Sequence, residues 1–210
     1  MKAYKTEQEE FWAGEFGSRY ISRNQSNNLL GSNINFFSRS LKYGFGIKNV
    51  IEFGANIGMN LKALSSLYPE AELFGVEINK DAVEHLRIEI PKENIFHQSI
   101  LDFYSPQTWD LVLIKGVLIH MNPDLLGEVY KKLFNATEKY LLIAEYYSPV
   151  PVKINYRGNE DKLFKRDFAG EIMDLYPSLS LIDYGFSYKR DPKFPQDDIN
   201  WFLLKKCDSC

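Results

Sequence analysis

Glu52, Gly54, Asn56 and Gly58 stand at alternate positions, after an apolar run from Asn49 to Phe53 and across the start of an amphipathic run at Ile57. That order reads as a strand carrying an acid near its end, a tight turn and a helix N-terminus. Such a unit opens nucleotide-binding α/β domains. Gly54 lets the backbone turn and approach a ligand, because no Cβ stands in the way. A dinucleotide would lay its pyrophosphate over the helix N-terminus, where the Glu52 carboxylate would repel it. The dinucleotide fingerprint also wants glycine at three positions that here hold Gly54, Asn56 and Met59, and two of the three fail. An acid at this place suits a cationic ligand instead.

The α-amino group of S-adenosylmethionine (SAM) is such a cation, and Glu52-x-Gly54-x-Asn56-x-Gly58 resembles the first motif of class I SAM-dependent methyltransferases. Glu77, with Ile78 beside it, ends a second apolar run 23 residues after Gly54. In open α/β sheets the ligand lies outside the strand ends, and an acid there pairs with ribose hydroxyls. That feature suits SAM and NAD alike; only together with Glu52 does it favour SAM. The resemblance further implies that Ser99 and Ile100, after the third apolar run, meet the adenine. Asp102 is an alternative to Ser99, or caps the turn that follows.

Lys115 and Gly116 leave a fourth apolar run, Trp109 to Lys115, where methyl donor and acceptor should meet. His120 follows. Its ordinary pKa near 6.5 suits a general base at neutral pH. It either takes the acceptor's proton or caps the loop against the cofactor, and the hydroxyls of Tyr146 and Tyr147 are rivals for the first role. No His, Cys and Asp combination has ligand spacing, so no metal is expected.

The segment from Tyr146 to Arg166 is long for a plain crossover and has little helical period, which marks a substrate loop or a solvated, charge-mixed one. From 151 to 170 it carries five basic residues against three acidic ones. Arg157, Lys165 and Arg166 are candidates for a carboxylate or phosphate, and Tyr156 for the wall of a sugar site.

The elements that must position these groups alternate. Residues 6–23 read as one amphipathic helix with a Thr6/Glu9 capping box. Its Phe11 and Phe16 dock it, while Trp12, Tyr20, Arg23 and Asn24 face a ligand. A second helix spans 28–43. Strands follow at 49–53, 72–78, 95–98, 109–115 and 139–145, with helices over 57–67, 80–89 and 122–135. A helix at 166–176 and strands at 179–186 and 201–205 complete a Rossmann-like, doubly wound α/β sheet of seven strands with extra N-terminal helices. We expect one domain over 1–210, with a helical cap at 1–46 and an α/β core at 47–210 whose segment 146–166 is the substrate loop.

A net charge of −3 disfavours a nucleic-acid substrate held by electrostatics. No run of eighteen apolar residues and no signal-peptide core occurs, so neither membrane insertion nor export is expected, and the location is read as cytoplasmic. Cys207 and Cys210 make half a zinc site at best and read as reduced thiols in a frayed tail.

Several longer blocks carry a narrower resemblance. Glu9-Glu-Phe-Trp-Ala-Gly-Glu-Phe-Gly17, Val117-Leu-Ile-His-Met-Asn-Pro123, Glu145-Tyr-Tyr-Ser-Pro149, Tyr156-Arg-Gly158, Phe164-Lys-Arg-Asp-Phe-Ala-Gly170 and Asp191-Pro-Lys-Phe-Pro-Gln-Asp-Asp198 look like the methylases associated with pseudaminic acid biosynthesis. Met121 departs from the branched aliphatic expected there. The resemblance implies methyl transfer from SAM to oxygen or nitrogen of a small anionic, nonulosonic-acid-like sugar or its substituent. A SAM-binding regulator without transferase activity and an NAD-dependent enzyme are the rival readings.

Overall fold

A computed structural model describes residues 4–21, 27–156 and 158–207. Helices α1 (Glu7–Ala13), α2 (Glu15–Tyr20) and α3 (Asn27–Ser40) precede the sheet. Then come β1 (Asn49–Phe53), α4 (Met59–Leu67), β2 (Glu72–Glu77), α5 (Lys80–Glu89), β3 (Ile95–His97) and β4 (Trp109–Lys115). The chain continues through α6 (Leu126–Ala136), β5 (Thr137–Glu145), β6 (Val152–Tyr156), β7 (Asn159–Lys165), α7 (Phe168–Leu175), β8 (Leu179–Ser187) and β9 (Ile199–Lys206).

Seven strands form one sheet in the order β3-β2-β1-β4-β5-β9-β8. β1 pairs in parallel with both β2 and β4, and β9 runs antiparallel to β5 and β8. Strand order therefore reverses at β1/β4, and such a switch point opens a crevice beyond the carboxyl ends of the strands. Both faces are covered. Ile51, Phe53, Val112 and Ile114 join one apolar cluster with Val129, Leu133 and Ile172 of α6 and α7. Their neighbours Val50, Leu111 and Leu113 join the other, with Phe37 of α3 and Leu61 and Leu64 of α4. Alternation along β1 and β4 thus feeds two cores, which is why these strands read as nearly unbroken apolar runs.

Three elements differ from the sequence expectation. The single helix over 6–23 is broken: α1 keeps the capping box, with Glu9 N–H donating to Thr6 Oγ1, but ends at Gly14. Asn79 Nδ2 donates to Trp12 O at 3.0 Å and reaches Ala13 O and Gly14 O, drawing off the carbonyls that a continuous helix would use. Segment 146–166 is not a bare loop, because β6 and β7 pair as an antiparallel hairpin. Val152, Ile154 and Tyr156 alternate with polar residues, and Gly158, at φ +83°, supplies the turn. The last two strands are joined as an antiparallel pair rather than through a helical crossover. Cys207 is exposed, and Cys210 lies outside the described residues.

No helix among the described residues is long and apolar enough to cross a membrane. Among the same residues no three His, Cys, Asp or Glu side chains gather as a metal ion would require.

Candidate functional site

The turn after β1 is built from conformations that few residues adopt. Gly54 has φ +77°, Asn56 +49° and Gly58 +83°. A Cβ at Gly54 would stand 2.5 Å from Val117 Cγ2, so this glycine lets the β1 and β4 loops touch. Asn56 points its own N–H at Glu77 Oε2, 2.7 Å away, and Asn79 N–H donates to Glu77 Oε1 at 2.7 Å. Glu77 is therefore fixed at the end of β2 with a carboxylate that burial holds above its usual pKa while backbone N–H groups pull it back.

These loops, the β8–β9 connection and the N-terminal helices enclose a cavity of about 660 Å³, within the range of small-molecule sites. Gly54, Asn56, Glu77, Ile78, Ser99, Ile100, Lys115 and Gly116 line it. Trp12 and Tyr20 line it from above, so the aromatic face of the N-terminal cap does turn inward. Gly116, at φ +68°, has nothing within 4 Å of where a Cβ would stand, so backbone and not side chain borders the space there.

Glu52 and Gly58 do not line the cavity. Glu52 is 1% exposed and lies beneath Asn60, whose Nδ2 donates to Glu52 Oε1 at 2.6 Å. Its other oxygen, Oε2, has no partner among the described residues, and burial pushes the carboxyl up to about 8. Asn60 also accepts from Lys115 Nζ at 3.4 Å. Burial pulls the Lys115 ammonium below its ordinary range, against the attraction of Glu52, Asp197 and Glu145. Glu145, at the end of β5, accepts from Val117 N–H and Leu118 N–H at 2.9 Å each, which ties down the start of the loop that carries His120. Gly58 instead opens α4 and packs against Leu86 and Glu89.

His120 lines the cavity between Trp12 and Tyr156, with ring centroids 4.7 Å and 4.9 Å away. Its Nδ1 lies 2.5 Å from Lys162 O; a carbonyl only accepts, so Nδ1 carries the proton and Nε2 keeps its lone pair. Burial lowers the imidazole to about 4, so it is neutral at pH 7. Tyr146 also lines the cavity, but burial and the Asp197 carboxylate beside it raise its pKa, so the phenol donates to Asp197 and is no base near neutrality. Tyr147 is 40% exposed, lies with its ring tilted against Phe202 and does not line the cavity.

The basic residues expected to hold an anion divide. Tyr156 lines the cavity, but Lys165 and Arg166 do not. Arg166 Nε donates to Glu171 Oε1 at 2.7 Å, and Glu171 Oε2 accepts from Tyr130 Oη, so the guanidinium anchors the hairpin to α7. Lys165 sits over the Tyr146 ring. Arg23, Asn24 and Arg157 lie outside the described residues. Cavity residues that the sequence reading passed over include Glu9, Asn33, Asn60, Lys189, Gln196 and Asp197. Glu9 accepts from Ser99 Oγ across the cavity rim. Its capping-box role was visible, but not that its second oxygen crosses to the sheet.

No protein-family profile matches this chain, and no curated protein is similar to it. Solved structures are. The chain is similar to magnesium protoporphyrin IX methyltransferase from Synechocystis PCC 6803 with bound SAM, at 13% identity and TM-score 0.70, covering 98% of this chain and 100% of that one. It is also similar to 1,6-didemethyltoxoflavin-N1-methyltransferase of Burkholderia thailandensis with bound S-adenosylhomocysteine (SAH), at 12% identity and TM-score 0.72, over 99% and 94% of the two chains. A third likeness is to the plantazolicin methyltransferase in complex with SAH, at 15% identity and TM-score 0.65, over 96% and 94%. At these identities the likeness is one of fold: the Rossmann-like, seven-stranded sheet of class I methyltransferases.

Proposed function

We propose that this chain is a SAM-dependent methyltransferase acting on an oxygen or nitrogen of a small acceptor. The observation that carries the reading is Glu77, held by two backbone N–H groups at the rim of a cavity at the β1/β4 switch point. The residues present fit the cofactor. Glu77 offers oxygens to ribose hydroxyls, and Ser99 and Ile100 border the space for the adenine. Asn60 presents an amide to the amino-acid end of the ligand, with the buried Glu52 carboxyl behind it accepting from Nδ2 and so fixing the amide's orientation. Bound SAM supplies a methyl group already activated by its sulfonium.

The protein's remaining task is to position the acceptor in line with that group and take its proton. His120, with Nδ1–H fixed on Lys162 O, presents Nε2 as the proton acceptor. Tyr146 and Tyr156 wall the acceptor, and Gly116 lets it approach the backbone. A nonulosonic-acid-like sugar is the acceptor we favour. The longer sequence blocks support it, as does Lys189 on the cavity wall for its carboxylate.

Isothermal titration with SAH tests the reading. Micromolar binding by the wild type, lost in Glu77→Ala, is expected. Folded wild-type protein that fails to bind SAH would overturn it.

A further inference from the structure

The two faces of the sheet end differently where β9 and β8 close it. On one face Trp201 lies across Gly185, where a Cβ would stand 2.5 Å from its Cζ2. Trp201, Ile199 and Leu203 join the apolar cluster that holds Phe36 and Phe37 of α3, so this face is covered. On the other face Leu204 and Phe202 reach the cluster of α6 and α7. Leu181, Tyr184 and Phe186 of β8 stand directly opposite Leu204, Phe202 and Asn200, so they share that second face. They are not covered. Tyr184 is 68% exposed, and Leu181, Phe186, Tyr188 and Tyr147 each show between 40% and 48% of their surface. Tyr188 lies 6.2 Å from Phe186 and Tyr147 lies 6.0 Å from Phe202, ring centre to ring centre. Five large side chains thus make one patch on a face that β1 and β4 bury beneath helices.

The patch is of interface size. An aromatic side chain has about 150–250 Å² to bury, so roughly half of each leaves a patch of about 500 Å². Patches that large on a single chain are often functional. Two of them face to face would remove about 1,000 Å² from water, the size at which a specific interface begins.

The edge of β8 is guarded while its face is not. Arg39 Nη2 donates to Phe186 O at 3.4 Å, and Lys42 Nζ stands 3.4 Å from Asp183 Oδ2. A bulge also breaks the register between Leu181 and Asp183. Charged side chains and bulges at an edge oppose strand addition, so a partner meets the face and does not extend the sheet. Charge around the face is balanced within one chain. The β8–β9 connection carries Lys189, Arg190 and Lys193 against Asp191, Asp197 and Asp198, and Lys189 Nζ lies 3.4 Å from Asp198 Oδ2. An acidic or basic partner, or an anionic membrane, finds no net charge to answer here. A second copy of the same neutral patch needs none. The hydroxyls of Tyr147, Tyr184 and Tyr188 both donate and accept, so each can pair with its like across a two-fold axis.

We infer that this face is the interface of a two-fold homodimer, with Tyr184 and Phe186 at its centre and Leu181, Tyr147 and Tyr188 around them. Tyr146 and Lys189, chain neighbours of Tyr147 and Tyr188, line the cavity, so each copy braces a wall of the other's cavity. The inference goes beyond the methyltransferase reading and stands or falls apart from it.

Sedimentation velocity of the full chain over a dilution series tests it. The wild type is expected to sediment at twice the mass of one chain when concentrated and to dissociate on dilution. The double variant Tyr184→Lys, Phe186→Lys should weaken the dimer at least about a hundredfold, the scale of two lost aromatic anchors. Phe45→Lys changes another exposed ring, beside Tyr140 and away from the patch, and should leave the dimer unchanged. Hydrogen exchange of the wild type, above and below the midpoint of dissociation, should show protection gained at 181–188 in the dimer. A wild type that stays monomeric throughout the series would overturn the inference and assign the face to a different partner. A dimer that survives in the folded double variant, or that gains its protection elsewhere, would overturn it equally. The exchange measurement needs only the wild type, so it decides the matter even if the double variant does not fold.

Discussion

Asn60 Nδ2 donates to Glu52 Oε1 across 2.6 Å, and it is the amide, not the carboxylate, that lines the cavity. The acid at the end of β1 therefore acts through Asn60, whose Oδ1 also faces Lys115 Nζ at 3.4 Å. Removing the direct contact should matter more than replacing the carboxyl behind it. Asn60→Ala is expected to weaken SAH binding about tenfold, the scale of one lost hydrogen bond to a charged ligand, and Glu52→Gln only a few-fold. Titration of both variants checks this; a Glu52→Gln loss exceeding that of Asn60→Ala would restore Glu52 as the direct ligand.

The same burial makes stability depend on pH. Burial raises Glu52 to about 8 and Glu145 to about 7, from ordinary values near 4.5 in the unfolded chain. A carboxyl with a raised folded pKa contributes stability that is full below about 4.5 and is lost as pH rises through the folded value. His120, lowered to about 4, acts in the opposite sense, but only between about 4 and 6.5. Between pH 6.5 and 8.5 the carboxyls dominate, so the melting temperature of the ligand-free protein should fall across that window. Glu52→Gln should flatten the fall. A melting temperature that rises there would contradict the assignment.

Much of the fold was legible because it rests on local patterns. Val50 to Phe53 and Leu111 to Ile114 are apolar at every position but Glu52, and strands covered on both faces look that way. Glu77 was legible because one strand end and one glycine turn fix its place. What escaped was decided over long sequence distances. Nothing near Asn33 announces Gln196, and nothing near Arg166 announces that Tyr130 and Glu171 will occupy it. The break at Gly14 depends on Asn79, a residue that locally signals only the cap of α5. The β6–β7 hairpin is a different kind of miss. Its period-two alternation and Gly158 were present in the sequence but were outweighed by two prolines and a run of charges.

His120 gives a kinetic prediction. With Nδ1–H held by Lys162 O and the ring neutral, Nε2 is available as a base across the physiological range. If it takes the acceptor's proton, the acid limb of kcat/KM, which reports the free enzyme, lies near pH 4 and not near the ordinary histidine value of about 6.5. His120→Gln should lower kcat by about 10²–10⁴-fold, the usual contribution of a positioned base, with SAH affinity held. An acid limb near 6.5, or turnover unchanged in the variant, would assign the proton transfer elsewhere.

Gly54 and Gly116 separate strain from occlusion. Both have positive φ, so alanine at either position costs about 1–2 kcal/mol through the left-handed backbone alone. At Gly54 the new methyl would also meet Val117 Cγ2 at 2.5 Å, forcing the β1 and β4 loops apart. At Gly116 it would meet nothing within 4 Å, because it projects into the cavity. Gly54→Ala should therefore melt well below Gly116→Ala, and trimming Val117 to Ala in the same chain should recover part of the difference. Gly116→Ala should lose no more stability than that backbone cost, yet lose turnover, since its methyl takes space that the reacting groups need. Thermal melts and single-turnover rates on the three proteins read both effects. A Gly116→Ala protein with wild-type turnover would show that methyl transfer does not take place against this backbone.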